Sequence, residues 1–296
     1  MYRTILLATD LSEDSENALA IALNLARHFR ARLQVLHALE SPYILYRGLV
    51  GDQATGRLRQ ADEEYVAEVR RLVEGKLAGK LEGFEDYSIE VREGLPFVEI
   101  LRLAKKTGCD LIVMGPHTGR AEERGMSRAG STMLRVTAKA RCPVMVVGGL
   151  EWRGIRDHYE HVLFASDFSP SCQAALNAAR VVAEAYGARL SLFHALAVSP
   201  LPGQPYPDQA VVEERLRLAQ SSLEDACGPQ LAGLAGGWQA ACWEGVPFVE
   251  IIKYAREAAV DLIVLGPHAE GDQERAGSTV EQVGLRAGCP VLVVPR

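Results

Sequence analysis

The sequence predicts an α/β chain of two doubly wound parallel-sheet domains, residues 1–150 and 151–296. Three observations carry the prediction. The pattern is written twice: Leu6-Leu-Ala-Thr-Asp10-Leu-Ser12 returns as Leu163-Phe-Ala-Ser-Asp167-Phe-Ser169, and Cys142-Pro-Val-Met-Val-Val147 as Cys289-Pro-Val-Leu-Val-Val294. Within each copy, short apolar runs alternate with amphipathic stretches, which calls for right-handed crossovers and a parallel sheet covered on both faces. The runs at 111–114 and 262–265 are apolar without a break, as strands buried on both faces must be.

Taking the first copy in order, 5–9 reads as a strand ending at Asp10. Ser12 then caps a helix whose apolar face includes Ala18, Leu19, Ala22, Leu25 and Ala26. The second copy marks the same start with Ser169 as N-cap and Pro170 at the first helical position. Residues 32–38 form strand two, which carries His37 near its end. An irregular segment, 40–57, precedes a charged amphipathic helix over about 58–81, read as a solvated face. Residues 87–92 alternate like an edge strand. Pro96 starts a third helix that Gly108 ends. A Gly130-Ser131-Thr132 opens the helix of about 130–139, and 144–147 is the last strand. Residues 148–160 link the copies. The spacing between matched residues shrinks along the chain, so the second copy is shorter before Gly245 and again before Gly277. Such changes belong in surface loops.

Bulk properties exclude several classes. A formal charge of −6 without a basic stripe argues against a nucleic-acid backbone as partner. No apolar run approaches the roughly 20 residues that cross a bilayer, and the start is too soon polar for a signal peptide. The six cysteines show neither Cys-x-x-Cys nor metal-ligand spacing, and Cys109, Cys142 and Cys289 flank apolar strands as small hydrophobes. The expected location is the cytoplasm, with neither membrane nor nucleic acid as partner.

In open parallel sheets ligands bind at the carboxyl ends of strands, where the strand order switches. Asp10, His37 and Gly115 sit at those ends, as do Asp167, His194 and Gly266. The most informative stretch is Asp110-Leu-Ile-Val-Met-Gly-Pro-His-Thr118 followed by Gly130-Ser131-Thr132. Its counterpart is Asp261-Leu-Ile-Val-Leu-Gly-Pro-His-Ala269 followed by Gly277-Ser278-Thr279. A strand running through a glycine and loop into a Gly-Ser-Thr helix start offers N–H groups and hydroxyls to an anion.

Across essentially the whole chain these residues resemble the universal stress protein family in its tandem form. The resemblance rests on the Asp-ended first strand, the His-ended second strand, and Gly94-Leu-Pro-Phe-Val-Glu-Ile100 with its copy Gly245-Val-Pro-Phe-Val-Glu-Ile251. It rests equally on the Gly-Pro-His…Gly-Ser-Thr…Cys-Pro-Val tail. The resemblance implies the universal stress protein fold, of the adenine nucleotide alpha hydrolase-like type, with five strands per domain. It also implies an internal pseudo-dimer in which the final strands pair edge to edge; a further homodimer of tandem chains is left open.

Family members that bind ATP carry Gly-x-x-Gly, a nine-residue spacer, and Gly-Ser or Gly-Thr. Here Thr118 and Ala269 replace the second glycine, with eleven residues (119–129) and seven (270–276) before the final motif. Arg120, Arg124 and Arg128 outnumber Glu122 and Glu123 in the first loop. In the second loop Glu270, Asp272 and Glu274 outnumber Arg275, so a triphosphate is expected to prefer the first half.

The resemblance implies a regulatory protein of the stress response that binds ATP, with Mg²⁺ as companion ion. The backbone near Ala38 would meet adenine, Asp10 and Gly115 the adenosine, and Gly130, Ser131 and Thr132 the phosphates, with Met114, His117 and Thr118 also lining the site. Asp167, Ala195, Gly266, Gly277, Ser278 and Thr279 are the matched set in the second half.

Plainer readings stand beside these. Asp10 and Asp167 can brace the turn into the first helix, and Ser or Thr at a helix start is an ordinary N-cap. His37, His117, His194 and His268 lack metal spacing and read as structural or ligand-lining. Residues 40–57 and 197–210, with Tyr43, Tyr46 and Tyr206, form either a lid or solvated loops. With no Gly-x-Ser-x-Gly elbow and no Walker sequence, catalysis beyond slow ATP hydrolysis is not expected. The competing function is an interaction scaffold that has given up nucleotide, or a sensor of another small ligand.

Overall fold

β1, Thr4–Thr9, buries Ile5, Leu6 and Leu7 completely, and this strand is the centre on which the first half is built. The structure is a computed structural model that describes residues 2–40, 49–51, 58–60, 62–116, 131–148, 153–169, 172–197, 207–266 and 278–295. It divides into two units, Met1–Gly148 and Gly149–Arg296.

In the first unit β1 leads into α1 (Glu13–Phe29), β2 (Arg32–Leu39) and a short antiparallel pair, β3 (Leu49–Gly51) with β4 (Leu58–Gln60). Next come α2 (Glu63–Leu81), β5 (Tyr87–Glu93), α3 (Pro96–Thr107), β6 (Leu111–Met114), α4 (Ser131–Lys139) and β7 (Val144–Val146). The main sheet runs β5-β2-β1-β6-β7, every pair parallel. The order therefore reverses between β1 and β6, which fixes where a cleft can open.

The second unit repeats this with β8 (His161–Ala165), α5 (Cys172–Tyr186), β9 (Arg189–Leu196) and α6 (Gln209–Cys227), which a 3-10 turn, Gly228–Leu231, extends. β10 (Trp238–Glu244), α7 (Pro247–Glu257), β11 (Leu262–Leu265), α8 (Thr279–Arg286) and β12 (Val291–Val293) complete it. Its sheet runs β10-β9-β8-β11-β12, again all parallel. No helix among the described residues is long and apolar enough to cross a membrane.

Each central strand is tied down at its start by an aspartate. Asp110 Oδ2 accepts the N–H groups of Arg3 at 2.8 Å and Thr4 at 2.9 Å. Asp261 does the same for Glu160 at 2.7 Å and His161 at 2.9 Å, and Arg156 pairs with its other oxygen at 2.9 Å. Helix ends show the copies drifting. α1 stops at Arg30 with φ +53°, where the second copy has Gly187 at +65°; α3 stops at Gly108 with φ +61°, where the second has Ala259 at +52°. A left-handed residue ends the helix in all four cases, glycine or not.

Three expectations change. The helix expected over 58–81 begins at Glu63, because Asp62 accepts the Tyr65 N–H at 2.8 Å and so sets the cap; Leu58–Gln60 is instead strand β4. That helix is not merely a solvated face, since Tyr65, Val69, Val73, Leu77 and Leu81, four apart, are buried on one stripe. The segment expected to be irregular, 40–57, holds β3. The expected Pro170 start lies outside the described residues, although the Cys172 N–H bonds Ser169 O at 3.0 Å in a helical manner.

Candidate functional site

In each half the first strand runs into a turn fixed from both sides. Thr9 takes the Leu11 N–H on its hydroxyl at 3.0 Å, and Asp10 takes the Ser12 N–H on Oδ1 at 3.0 Å. Ser12 also donates its hydroxyl to Asp10 at 2.5 Å and, as N-cap of α1, accepts the Ser15 N–H at 3.4 Å. Short polar side chains that bond the backbone two residues on make a sharp bend of this Thr-Asp-Leu-Ser order. The bend holds Leu11 at φ +64°.

The second half repeats it. Ser166 holds the Phe168 N–H at 3.1 Å, Asp167 holds the Ser169 N–H at 2.9 Å, and Phe168 lies at φ +61°. Here Cys172 stands at the place of Ser15 and donates its thiol to Asp167 Oδ1 at 2.9 Å. Burial raises the Asp167 carboxyl, but the bonds from Cys172 and Ser169 outweigh it, and the group ends below the ordinary carboxylate range. Burial and the bond to Asp167 push the Cys172 thiol up.

The bracing role considered for both aspartates is thus realised. So is a structural role for two histidines: His37 donates Nδ1–H to Thr9 O at 2.9 Å, and His194 donates to Ser166 O at 2.8 Å. A carbonyl can only accept, which assigns the proton. His194 also packs against Phe168, ring centres 4.5 Å apart. Among the described residues no group of three or more His, Cys, Asp or Glu is placed to hold a metal ion.

A cleft opens beside each turn, at the carboxyl ends of the strands. In the first half its walls are Pro96 and Ile100 of α3, Met114 and Gly115 at the end of β6, and Ala38 of β2. Thr132, near the start of α4, joins them with Thr9, Asp10 and Ser15 at the turn, around a volume of ≈ 60 Å³. In the second half Pro247, Ile251, Leu265, Gly266 and Ala195 take the same places. Asp167, Cys172, His194, Ser278 and Thr279 join them around ≈ 190 Å³. Ser278 is the N-cap of α8, its hydroxyl accepting the Glu281 N–H at 3.2 Å. The apolar side walls suit a flat ring, and the helix starts present hydroxyl and N–H groups suited to an anion.

Of the residues singled out from sequence, Asp10, Ala38, Met114, Gly115 and Thr132 meet in one cleft, and Asp167, Ala195, Gly266, Ser278 and Thr279 in the other. His117, Thr118, Gly130 and Gly277 lie outside the described residues, as does the side chain of Ser131. Sequence reasoning missed Thr9 and Ser166, Ser15 and Cys172, and the pairs Pro96–Pro247 and Ile100–Ile251 as cleft walls. The last two pairs stand in the repeated Gly-x-Pro-Phe-Val-Glu-Ile, whose proline signals a helix start without showing that the helix walls a cleft. Loop charge and cleft size rank the halves in opposite order: the basic loop belongs to the first, the larger cavity to the second.

Comparison with known proteins gives one consistent result. The model of the universal stress protein family matches residues 1–148 and again 158–295. The chain is 32% identical over 154 residues to a universal stress protein of Methanocaldococcus jannaschii, covering 50% of this chain and 82% of that one. It is 35% identical over 153 residues to a universal stress protein of Thermus aquaticus, covering 50% of this chain and 99% of that one. Among solved structures, a universal stress protein from Archaeoglobus fulgidus shares the fold over 99% of this chain and 96% of its own. The TM-score is 0.68 at 22% identity.

Proposed function

Because the chain belongs to the universal stress protein family, in two successive domains, we propose that it is a regulatory protein that binds an adenine nucleotide, ATP in its first half. The observation that supports this reading is the doubled cleft, apolar on its sides, with a helix start at one end: Thr132 in one half, Ser278 and Thr279 in the other. In this reading Pro96, Ile100 and Met114 sandwich the base, and Asp10 faces the sugar. The start of α4 takes the phosphates, with Arg120, Arg124 and Arg128 supplying charge. The second half takes a triphosphate less well, because Glu270, Asp272 and Glu274 repel it. Mg²⁺ would travel with the nucleotide. No catalytic residue is proposed, and the protein acts by switching between bound and unbound states.

A second reading, an interaction scaffold without nucleotide, is favoured by Thr118 and Ala269 at the second motif glycine. There a side chain stands where the family brings backbone close to the ligand. Denaturing freshly purified protein and analysing the supernatant by mass spectrometry separates the two. Nucleotide in the supernatant, and a rise in melting temperature on adding ATP with Mg²⁺, are expected. Absence of both would replace the nucleotide reading with the scaffold.

A further inference from the structure

Below the sheet, at the end opposite the cleft, the first half brings two thiols together. Cys109 follows Gly108, the left-handed stop of α3, and Cys142 lies two residues before β7. β6 and β7 pair with Ile112 opposite Val144, so the register carried back sets Cys142 beside Asp110, one residue from Cys109. The two Sγ atoms are 3.5 Å apart. A disulfide needs about 2 Å between sulfurs and about 4–7 Å between Cα atoms. Strands about 4.8 Å apart, offset by one residue step of about 3.3 Å, place the Cα atoms about 6 Å apart. Side-chain rotation alone then closes the bond.

We propose that Cys109 and Cys142 form a dithiol site that a peroxide converts to an intramolecular disulfide. Cys142 is half-buried and reachable, whereas Cys109 is buried. The two thiols lie within hydrogen-bond distance, either able to donate; this contact lowers Cys142 below the ordinary thiol range and, with burial, raises Cys109 above it. Cys142, the more exposed of the two, is the nucleophile and the buried Cys109 the resolving thiol. The Cys142 thiolate attacks one peroxide oxygen and the O–O bond breaks. The hydroxide released takes up a proton, leaving water and a Cys142 sulfenic acid. Cys109 sulfur then attacks Cys142 sulfur, the S–O bond breaks, and the departing hydroxyl carries off the Cys109 proton as a second water. Two thiols and one peroxide become one disulfide and two waters, a two-electron oxidation of the sulfur pair.

The second half provides an internal control. Cys289 occupies the place of Cys142, but Val260 stands where Cys109 would be, and burial pushes the Cys289 thiol up to about 12. The proposal does not rest on nucleotide binding, since the thiols lie at the other end of the strands from the cleft.

The test treats the full-length protein with a modest excess of hydrogen peroxide, alkylates it without reductant and digests it with trypsin. Peptides 107–120 and 142–153 carry one cysteine each. The expected product is these two peptides joined, about 2 Da lighter than their sum, and separated again by dithiothreitol. Two of the six thiols are lost, with Cys289 still alkylated. Cys109→Ser should strand the reaction at a Cys142 sulfenic acid that dimedone traps. If that variant does not fold, the wild-type peptide map decides alone. The proposal is overturned if peroxide joins other cysteines instead. It is equally overturned if both peptides emerge fully alkylated, or if wild-type Cys142 goes directly to the sulfonic acid.

Discussion

Ser191 donates its hydroxyl to His161 Nε2 at 2.7 Å, while His161 Nδ1 donates to the carbonyl of Ala258 at 2.9 Å. Ser191 in turn accepts from Tyr254 at 2.9 Å and from Gln239 at 3.2 Å, which fills both lone pairs of its oxygen. A protonated ring would make His161 a third donor to that oxygen and leave the Ser191 proton without an acceptor. Burial, with the nearby Arg189 charge, outweighs the Ala258 bond and the Asp261 carboxylate and holds the His161 imidazole below its ordinary value of 6.5. In the unfolded chain His161 binds a proton at a higher pH than in the folded one. Its stabilising contribution is therefore complete above about 6.5 and lost as pH falls through the folded value. Urea midpoints measured from about pH 7.5 down to about pH 5 should fall more steeply for wild type than for His161→Gln. Parallel slopes would refute this.

A second prediction concerns the four left-handed helix stops. Arg30 and Ala259 occupy positions where the other copy has glycine, and each bears the Cβ strain of that region. Arg30→Gly and Ala259→Gly should each stabilise by about 1 kcal/mol, less the flexibility that glycine adds to the unfolded chain. Gly108→Ala and Gly187→Ala should destabilise by a similar amount, all four read from denaturant midpoints.

Gly94 presents a harder constraint. Its φ is +147°, and an added Cβ would lie 3.0 Å from both Cγ and Oε1 of Glu99. Glu99 is buried and paired with Arg102 at 2.5 Å and Arg92 at 3.8 Å, so it has little room to withdraw. Gly94→Ala should cost about 2 kcal/mol or more. Gly245→Ala meets Glu250 even closer, at 2.5 Å, but that side chain is 15% exposed and its ion pair among the described residues, with Lys253, is long at 4.0 Å. It should swing aside, leaving the smaller loss of the two in chemical denaturation.

Asp10→Ala and Asp167→Ala separate the clefts. In calorimetric titration with ATP and Mg²⁺, Asp10→Ala should weaken binding about tenfold, the scale of one hydrogen bond to a charged group. Asp167→Ala should leave the titration nearly unchanged. The reverse order would assign the triphosphate to the half with the larger cavity.

The limits of the sequence follow from distance. Strands such as Leu111–Met114 and Leu262–Leu265 announce themselves, because a run buried on both faces has no polar residue to interrupt it. Asp10 and Gly115 follow strands at one edge of the sheet and Thr132 lies in the first turn of a helix that starts there, which makes the three recognisable as neighbours. The cap at Asp62 was hidden, because Leu58 begins an apolar periodicity that only the pairing with Leu49–Gly51 takes away. The meeting of His161, Ser191, Gln239 and Tyr254 depends on β8, β9 and β10 lying side by side with α7 above them, and leaves no periodic trace. Cys109 and Cys142 looked like two separate small hydrophobes until β6 and β7 became neighbours.

Leu11 and Phe168 remain in their left-handed conformation because a hydroxyl on one side and a carboxylate on the other clamp the flanking N–H groups. That clamp belongs to the folded chain by itself. A ligand reaching Asp10 or Asp167 meets an edge already in shape, with no backbone disorder to quench there, so association is spared that entropic toll. The same rigidity makes this edge a poor signalling element: a message sent by occupancy must travel through some other part of the rim.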